Sequence, residues 1–303
     1  MPLRFYISIK RVLTLPHYRY NPRQVLTKLA RAVRPQSGGL QTVTLPWGIQ
    51  LRVNRNEFIG GSIWATGVHD LAVSEAICRL LRPGETAVDA GANIGYMMGI
   101  MALRVGKSGR VLCFEPHPGM FASLQHNADL LSRRESAAKP ELLRLALSAR
   151  NGQAELVTDE DWETHQGLAH LDESAGTLEG QTATVVETRR LDDVLADEDI
   201  ALLKLDVEGH EADVLLGASR LLAERRIRTV IYEERGGISG RSHRILSDAG
   251  FTLFYLDSRR TGAFVAPLRT PRITPAPDFL ATLVPDEVVG RFSVPGWQLF
   301  RGR

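Results

Sequence analysis

The sequence predicts an α/β protein with a doubly wound, mostly parallel sheet covered by helices. Two observations support this fold class. From residue 84 onward, short strands alternate with helical segments, and the strands are continuously apolar, as strands buried on both faces are. The first of these strands runs directly into a glycine-rich turn and a helix, VDAGANIGY at residues 88–96, where sheets of this kind bind ligands.

The predicted elements follow one another in a regular order. A helix is expected from Asp70 to Leu81, where RPG stops it. Next come the strand TAVDAG, the helix NIGYMMGIMALRVG, the strand GRVLCFEP and the helix HPGMFASLQHNADLLS. ELLRLALS predicts a third strand, GQAELVTD an extra one, and ATVVETRRLDDVL a strand with a short helix. The strand–turn–helix IALLKLDVEGHEADVLLGASRLLAE, the strand IRTVIYEER, the helix SHRILSDAG, the strand FTLFYLD and a closing strand in DFLATLVP complete the pattern.

Three parts are expected along the chain. Residues 1–65 form an N-terminal extension, basic and helical in pattern at first, then containing short strands that end in FIGGSIWATG. We expect this extension to shape the substrate pocket or an oligomer contact. Residues 66–285 hold the α/β domain, and residues 286–303 form a C-terminal tail. The length of 303 residues suits one large domain with a small addition.

Composition and charge argue against several function classes. The net charge of +2 gives no general signal for nucleic acid or an anionic membrane. No window approaches the roughly 20 apolar residues of a spanning helix, and the N-terminus lacks the features of a signal peptide. Cys78 and Cys113 lie in apolar runs without disulfide or metal-ligand spacing. We therefore expect a cytoplasmic protein that acts on a small molecule, with a homo-oligomer left open.

The glycine-rich turn predicts a ligand that carries a carboxylate. Gly91 and Gly95 let the backbone turn tightly, and the free N–H groups of the following helix favour negative charge. A dinucleotide fingerprint would need glycine where the chain has Asn93 and Tyr96. Glu115 ends the second strand, where it can accept hydrogen bonds from both ribose hydroxyls. These features fit S-adenosylmethionine; the alternative is that the glycines only form a tight turn and Glu115 is a solvated strand end.

The stretch KLDVEGHE, residues 204–211, predicts the reacting end of the cleft. A nucleophile that still carries its proton at pH 7 needs a base or a metal to remove it. Asp206 ends a strand and is expected at the reacting centre; Glu208 and His210 are the other catalytic candidates, since histidine titrates near neutrality. His210 can instead be a surface histidine at the helix start, paired to Glu208 or Glu211. Glu208 can instead be a first-turn acid that complements the helix dipole. For Glu211 that structural role is the favoured interpretation.

Further charged residues fall near the same edge of the sheet. His69 and Asp70, at the start of the predicted domain's first helix, are both possible contributors to the site. Asp206 and Glu233, on adjacent strand ends, would suit Mg²⁺, which prefers oxygen ligands. A single acid at the methyl site is the simpler account, so no metal ligand is assigned. Lys204 is out of phase with its apolar neighbours and is expected to pair with an acid.

Taken together, VDAGANIGY, CFEPHP, HNADLL, LALS, RRLDDVL and KLDVEGHEADVLLGA resemble the FkbM family of S-adenosylmethionine-dependent methyltransferases, over roughly residues 65–260. The resemblance implies a class I methyltransferase (Rossmann-like) fold, usually with seven strands of which the last is antiparallel. It also implies methylation of a hydroxyl on a sugar, a polyketide or another secondary metabolite.

The resemblance further implies a set of cofactor-binding positions in the glycine loop and at the ends of the second, third and fourth strands. These positions are Asp89, Gly91, Asn93, Gly95, Glu115, Ala146, Leu147, Ser148 and Asp206. Many relatives read Gly-x-Tyr-Glu before the first strand, whereas this chain has GVHD, so the resemblance assigns no role to His69 or Asp70.

Two other function classes stay open at this point. A nicotinamide-dependent oxidoreductase would share the fold class, but the missing glycine at position 93 argues against it. A non-catalytic adenosine-binding module is the second alternative. The intact glycine loop, together with Glu115 and Asp206, argues against such a loss of chemistry.

Overall fold

A computed structural model describes residues 39–158, 170–172, 182–268 and 278–301 of the protein. The strands are β1 (Leu40–Thr44), β2 (Gln50–Asn54), β3 (Thr86–Ala90), β4 (Arg110–Phe114), β5 (Glu141–Leu143), β6 (Ala146–Leu147), β7 (Gly152–Thr158), β8 (His170–Asp172), β9 (Thr182–Arg189), β10 (Ile200–Leu205), β11 (Thr229–Glu233), β12 (Thr252–Arg259), β13 (Gly262–Pro267) and β14 (Asp278–Thr282). The α-helices are α1 (Phe58–Thr66), α2 (Leu71–Leu80), α3 (Tyr96–Val105), α4 (Pro118–Ser132), α5 (Leu191–Val194), α6 (Glu211–Gly217), α7 (Ser219–Ala223), α8 (Arg241–Asp248) and α9 (Pro285–Ser293). The helical pattern expected before residue 39 lies outside the described residues.

The central sheet has eight strands in the order β13-β12-β14-β11-β10-β3-β4-β5. Strands β5, β4, β3, β10 and β11 pair in parallel, while β14 is antiparallel to both β11 and β12. The predicted doubly wound, mostly parallel sheet is confirmed. The expected number of seven strands is wrong by one, because only two residues separate β12 from β13 and this tight connection adds a hairpin strand at the edge.

The order of the chain reverses between β3 and β10, and the site is positioned there. The two neighbouring strands lead to opposite halves of the sheet, so their carboxyl ends leave a crevice between them. Both are central strands: Val88 and Leu203 are fully buried, as the apolar runs predicted. The registers place Leu205 beside Ala90, so the turns after the two strands start side by side.

The segment ELLRLALS does not form one strand as expected. Its first part is β5, which pairs with β4, and its second part is β6, which pairs with β9 in a separate sheet of order β6-β9-β7-β8. Four leucines and one alanine within these eight residues predict a single strand. The break arises because the second part pairs with β9, which is distant in sequence. The change of sheet carries Ala146 and Leu147 to the crevice.

FIGGSIWATG was expected to end a strand region but forms α1. Both carboxylate oxygens of Glu57 cap this helix, accepting hydrogen bonds from Ile59 N at 2.7 Å and Gly60 N at 2.5 Å. A Cβ on Gly60 would lie 2.2 Å from Asn54 O, so glycine lets the helix pack directly against the end of β2. A short apolar run with two glycines gives no reliable helix signal, and this packing decides its structure.

Residues 285–301 pack back onto α2 of the α/β body. Trp297 is fully buried, and Glu75 accepts a hydrogen bond from Gln298 N at 2.8 Å. The same carboxylate pairs with Arg79 at 2.7 Å in a completely buried ion pair. This arrangement fixes α2, whose N-terminal end borders the crevice. Among the described residues, no helix is long and apolar enough to cross a membrane.

Candidate active site

A cavity lies at the carboxyl ends of β3, β4 and β10, at the point where the strand order reverses. Its lining includes seven of the predicted site residues: Gly91, Asn93, Glu115, Ala146, Leu147, Asp206 and Glu208. The predicted residues Asp89, Gly95, Ser148 and His210 are not part of this lining. The cavity also takes in His69 and Asp70 before α2, Tyr96 and Met97 of α3, Met120 of α4 and Leu156 of β7.

The turn after β3 is held from two sides. The N–H groups of Gly91 and Ala92 both donate to Phe114 O at 3.0 Å, which ties the turn to the end of β4. Gly91 has φ +74°, and a Cβ there would lie 1.8 Å from Asp206 O. Glycine at this position is therefore required by the close approach of the β10 turn. Gly95 has φ +86° and faces Leu124 in the core, so it serves the entry into α3.

Glu115 is fixed at the edge of the cavity by the backbone. Its Oε2 accepts a hydrogen bond from Asn93 N at 2.8 Å, and its Oε1 accepts one from His117 N at 2.9 Å. Burial raises the pKa of Glu115 to about 7, although both N–H groups act to lower it. Each carboxylate oxygen has a second acceptor site. The side chain can therefore accept two further hydrogen bonds from a ligand without losing its own support.

Lys204 joins the two central strands beneath the turns. Its Nζ lies 3.0 Å from Asp89 Oδ1, 3.4 Å from Asp206 Oδ2 and 3.1 Å from Gly91 O. Burial acts to lower the pKa of Lys204, but the charges of Asp89 and Asp206 outweigh burial and raise it, so the ammonium group is charged. The expected pairing of Lys204 with an acid is confirmed. Asp89, completely buried, lies behind the turn as the partner of this lysine.

The turn after β10 carries the acids. Asp206 N donates to Ala90 O at 3.1 Å, which places its partly exposed side chain at the cavity. Glu208 accepts a hydrogen bond from Arg235, while burial and then the charge of Asp206 raise the pKa of Glu208. Glu211 Oε1 accepts hydrogen bonds from Val207 N at 3.1 Å and Gly209 N at 3.2 Å. Glu211 therefore closes the turn, which agrees with its favoured structural role.

His210 and Ser148 contact each other away from the cavity. The His210 Nε2 atom lies 2.9 Å from Ser148 Oγ, and both residues are buried. This contact joins the start of α6 to the end of β6. The catalytic role of His210 and the cofactor role of Ser148 stay predictions, and the contact supplies a structural reason for both residues.

Unusual backbone conformations gather around the cavity. Four described residues other than glycine have positive φ, and three of them line it: Asp70 at +37°, Asn93 at +50° and Glu208 at +55°. Such conformations cost free energy and persist where the surrounding structure enforces them, often at functional sites. The crevice is therefore bordered by three turns, each held in a fixed shape.

Sequence reasoning missed Tyr96 as part of the site. It counted only as a departure from a dinucleotide pattern, but its hydroxyl oxygen accepts a hydrogen bond from His69 N at 3.0 Å. Trp47 packs edge-on against the Tyr96 ring at 5.7 Å. An aromatic residue at the first position of the helix after a glycine turn was the available signal. Leu156 belongs to the second sheet, and nothing local to its sequence indicates the cavity.

The acids at the end of β11 do not complete a metal site. Glu233 stands opposite Asp278 in the β11–β14 register, and burial raises the pKa of both carboxyls, that of Glu233 to about 7. Within residues 39–158, 170–172, 182–268 and 278–301, no group of three or more His, Cys, Asp or Glu side chains is arranged to hold a metal ion. The Mg²⁺ hypothesis therefore receives no support from the described residues.

A doubly wound sheet with a ligand crevice at its switch point, a glycine turn on one side and a buried carboxylate at the next strand end, defines a nucleoside-binding α/β protein. The family model described as the Methyltransferase FkbM domain matches residues 89–260. The chain belongs to this family, and it is an S-adenosylmethionine-dependent methyltransferase. The resemblance found in its motifs is thus confirmed, and so is the predicted enzyme class.

Individual relatives are similar over much of the chain. The 2-O-methyltransferase NoeI of Sinorhizobium fredii is 30% identical over 201 residues, which cover 61% of this chain and 77% of NoeI. The 31-O-demethyl-FK506 methyltransferase FkbM of Streptomyces tacrolimicus is 33% identical over 209 residues, covering 57% and 75%. The crystal structure of Methyltransferase FkbM from Methylobacillus flagellatus KT is 16% identical, with a TM-score of 0.42, and covers 73% of this chain and 52% of that one.

Proposed function

We propose that this methyltransferase methylates a hydroxyl group on a sugar, a polyketide or another small secondary metabolite. The observation that carries the proposal is that Asp206 lines one cavity together with the glycine turn and His69. Both named methyltransferase relatives carry an oxygen position in their names, 2-O and 31-O, which supports oxygen as the acceptor atom.

The residues of the cavity fit S-adenosylmethionine by their chemistry. Glu115 offers two fixed acceptor oxygens for ribose hydroxyls, and the apolar Ala146, Leu147 and Met120 offer a surface for an adenine ring. The main chain of Gly91 lines the cavity, and its carbonyl oxygen accepts a hydrogen bond from the charged Lys204. When bound, S-adenosylmethionine supplies an electrophilic methyl group on a sulfonium centre.

Asp206 is the residue we assign to the acceptor side. Its carboxylate is held 3.4 Å from the Lys204 ammonium. It accepts a hydrogen bond from a hydroxyl next to the reacting one and so orients the acceptor. Positioning of this kind supplies much of the rate in a displacement reaction. Glu208 is a second acid of the same wall but is already engaged by Arg235.

Several broader properties belong to the same proposal. The acceptor is a small molecule and not a nucleic acid, and the enzyme acts in the cytoplasm. The described part of the N-terminal extension, residues 39–65, contributes Ile59 of α1 to the cavity, and we assign it to the acceptor side. The family assignment excludes the nicotinamide oxidoreductase. A non-catalytic adenosine-binding module is the remaining alternative. Measured turnover of S-adenosylmethionine distinguishes the enzyme from such a module.

The test measures release of S-adenosylhomocysteine from a panel of glucose, mannose, rhamnose, fucose and glucuronic acid. Asp206→Asn, which keeps the size of the side chain, is expected to lower turnover by on the order of 100-fold, as loss of an orienting group does. Asp213→Asn on α6 is the matched control and should keep the wild-type rate. Binding of S-adenosylmethionine without turnover on any sugar would contradict a sugar acceptor, and equal rates for the two variants would contradict the role of Asp206.

A further inference from the structure

We infer that His69 is the general base that takes the proton of the acceptor hydroxyl. The inference rests on the proposed function and deepens it, because it assigns the proton transfer to a residue where the chain departs from the motif of many relatives. His69 lines the cavity together with Asp206.

The ring of His69 is available for this role. Among the residues that the structure describes, neither ring nitrogen takes part in a hydrogen bond or an ion pair. The other histidines near the site are engaged: His210 contacts Ser148, and His117 Nδ1 caps α4 by accepting from Gly119 N at 3.2 Å. His69 is also half-buried, so its ring meets the cavity and not bulk solvent.

The main chain of His69 is held on both sides of the residue. Its N–H donates to the Tyr96 hydroxyl at 3.0 Å, and its carbonyl oxygen accepts from Ser74 Oγ at 2.9 Å. The Tyr96 ring packs edge-on against the imidazole, with centroids 6.1 Å apart. Asp70 follows in a left-handed conformation and caps α2 through Val73 N. The loop therefore presents the ring in one place, as a base needs to be presented.

The charges around the ring favour a neutral imidazole that can be protonated. Burial lowers the pKa of His69, the anionic Asp206 opposes this effect, and the ammonium of Lys204 adds to it. Asp70 is the neighbouring acid on the same loop, and burial raises its pKa to about 6. At pH 7 the ring is thus unprotonated, and Asp206 stabilises the imidazolium once it has formed.

The proton and the methyl group move in one balanced step. The acceptor oxygen forms a bond to the methyl carbon while the carbon–sulfur bond breaks. The electron pair of the broken carbon–sulfur bond stays on sulfur. The hydroxyl proton passes to a ring nitrogen of His69 and then leaves to solvent. Asp206 accepts a hydrogen bond from a neighbouring hydroxyl of the acceptor and stabilises the imidazolium that forms on His69, so the two residues have separate roles.

The first experiment compares His69→Gln with His126→Gln, the same substitution on α4 outside the cavity, using the sugar panel. General bases contribute on the order of 10²–10⁴-fold, so His69→Gln should lower kcat by that factor. The affinity for S-adenosylmethionine should stay unchanged, and the acidic limb of the kcat profile should disappear. Added imidazole should restore part of the activity of His69→Ala. A wild-type kcat and pH profile in His69→Gln would overturn the inference.

The second experiment needs no acceptor. Diethyl pyrocarbonate reacts with unprotonated histidine nitrogens, and mass spectrometry of the protein saturated with S-adenosylhomocysteine follows each histidine separately. We expect His69 to react with a pH midpoint below that of free N-acetylhistidine, and the midpoint to fall further in Asp206→Asn. An unreactive His69, or a midpoint that Asp206→Asn leaves in place, would contradict the inference. Wild-type protein that methylates no sugar counts against the proposed acceptor, and the reactivity of His69 then decides the inference alone.

Discussion

The turns after β3 and β10 are built alike and offer opposite chemistry. Each follows a buried parallel strand, contains a glycine of positive φ and leads into a helix. The β3 turn is uncharged and is held by its neighbour β4, through Phe114 O and Glu115. The β10 turn is acidic and holds itself, through Glu211 and its own backbone. In the proposed function, the β3 turn is the cofactor wall and the β10 turn is the acceptor wall.

The two glycines differ for a physical reason. A Cβ on Gly91 would collide with Asp206 O, so glycine is needed for the close approach of the two turns. A Cβ on Gly209 would have nothing nearer than 3.9 Å, so glycine is needed there only for its φ of +97°. The contact at Gly91, and the ammonium of Lys204 beneath it, make the two walls one unit.

The largest expected effect concerns this junction. Lys204→Met leaves Asp89 buried without its partner, and breaking a buried pair in this way costs on the order of 3–5 kcal/mol of unfolding free energy. Urea unfolding followed by circular dichroism measures the loss. Lys107→Met, at an exposed turn, is the control and should change the free energy of unfolding by less than about 0.5 kcal/mol.

A double variant sharpens the same prediction. Asp89→Asn combined with Lys204→Met removes both charges, so it should be more stable than Lys204→Met alone. A double variant that is less stable than either single variant would show that the pair does not act as a charge junction between the turns.

The next effect is a pH dependence confined to the cofactor wall. Burial raises the pKa of Glu115 to about 7, so protonation below that pH removes the ionised acceptor. Affinity for S-adenosylmethionine should therefore fall by about tenfold between pH 8 and pH 6, since one pKa unit corresponds to a factor of ten. Calorimetry in Glu115→Gln should show weaker binding with no such slope. Stronger binding by the wild-type protein at pH 6 would contradict the assignment.

The smallest effect is expected at Tyr96, which holds the loop of His69. Tyr96→Phe removes the hydroxyl that accepts from His69 N, and one such hydrogen bond is worth about 1 kcal/mol, or roughly fivefold in kcat. Cofactor affinity should not change. Tyr232→Phe is the matched control, because its hydroxyl bonds to His243 Nδ1 at 2.7 Å away from the cavity. Equal losses of kcat in the two variants would mean that the effect is one of general stability.

The sequence predicts both walls from local signals. Strand–turn–helix patterns predicted both turns, because apolar runs and glycines are local signals. Glu115 and Asp206 were found by their place at strand ends, and both line the cavity. Asp89 and Gly95 belong to the motif VDAGANIGY but face the interior. A sequence motif contains residues required for folding as well as residues that bind a ligand.

What the sequence could not predict arises from contacts between distant segments. The split of ELLRLALS depends on pairing with β9, and the contact of His210 with Ser148 follows from that split. The extra strand β13 could not be predicted, because it forms by pairing with β12 at the edge of the sheet. His69 reaches the cavity only because Tyr96 and Ser74 hold its loop there.

Binding of S-adenosylmethionine to Glu115 variants tests the central claim most directly. Calorimetry should give the wild-type protein a Kd in the usual substrate range, on the order of 1–100 μM. Glu115→Ala should weaken binding by roughly 10- to 100-fold, because hydrogen bonds to a charged group are lost. Glu141→Ala, at an exposed surface pair, should bind as the wild-type protein does. Undetectable wild-type binding, or full affinity in Glu115→Ala, would contradict the account.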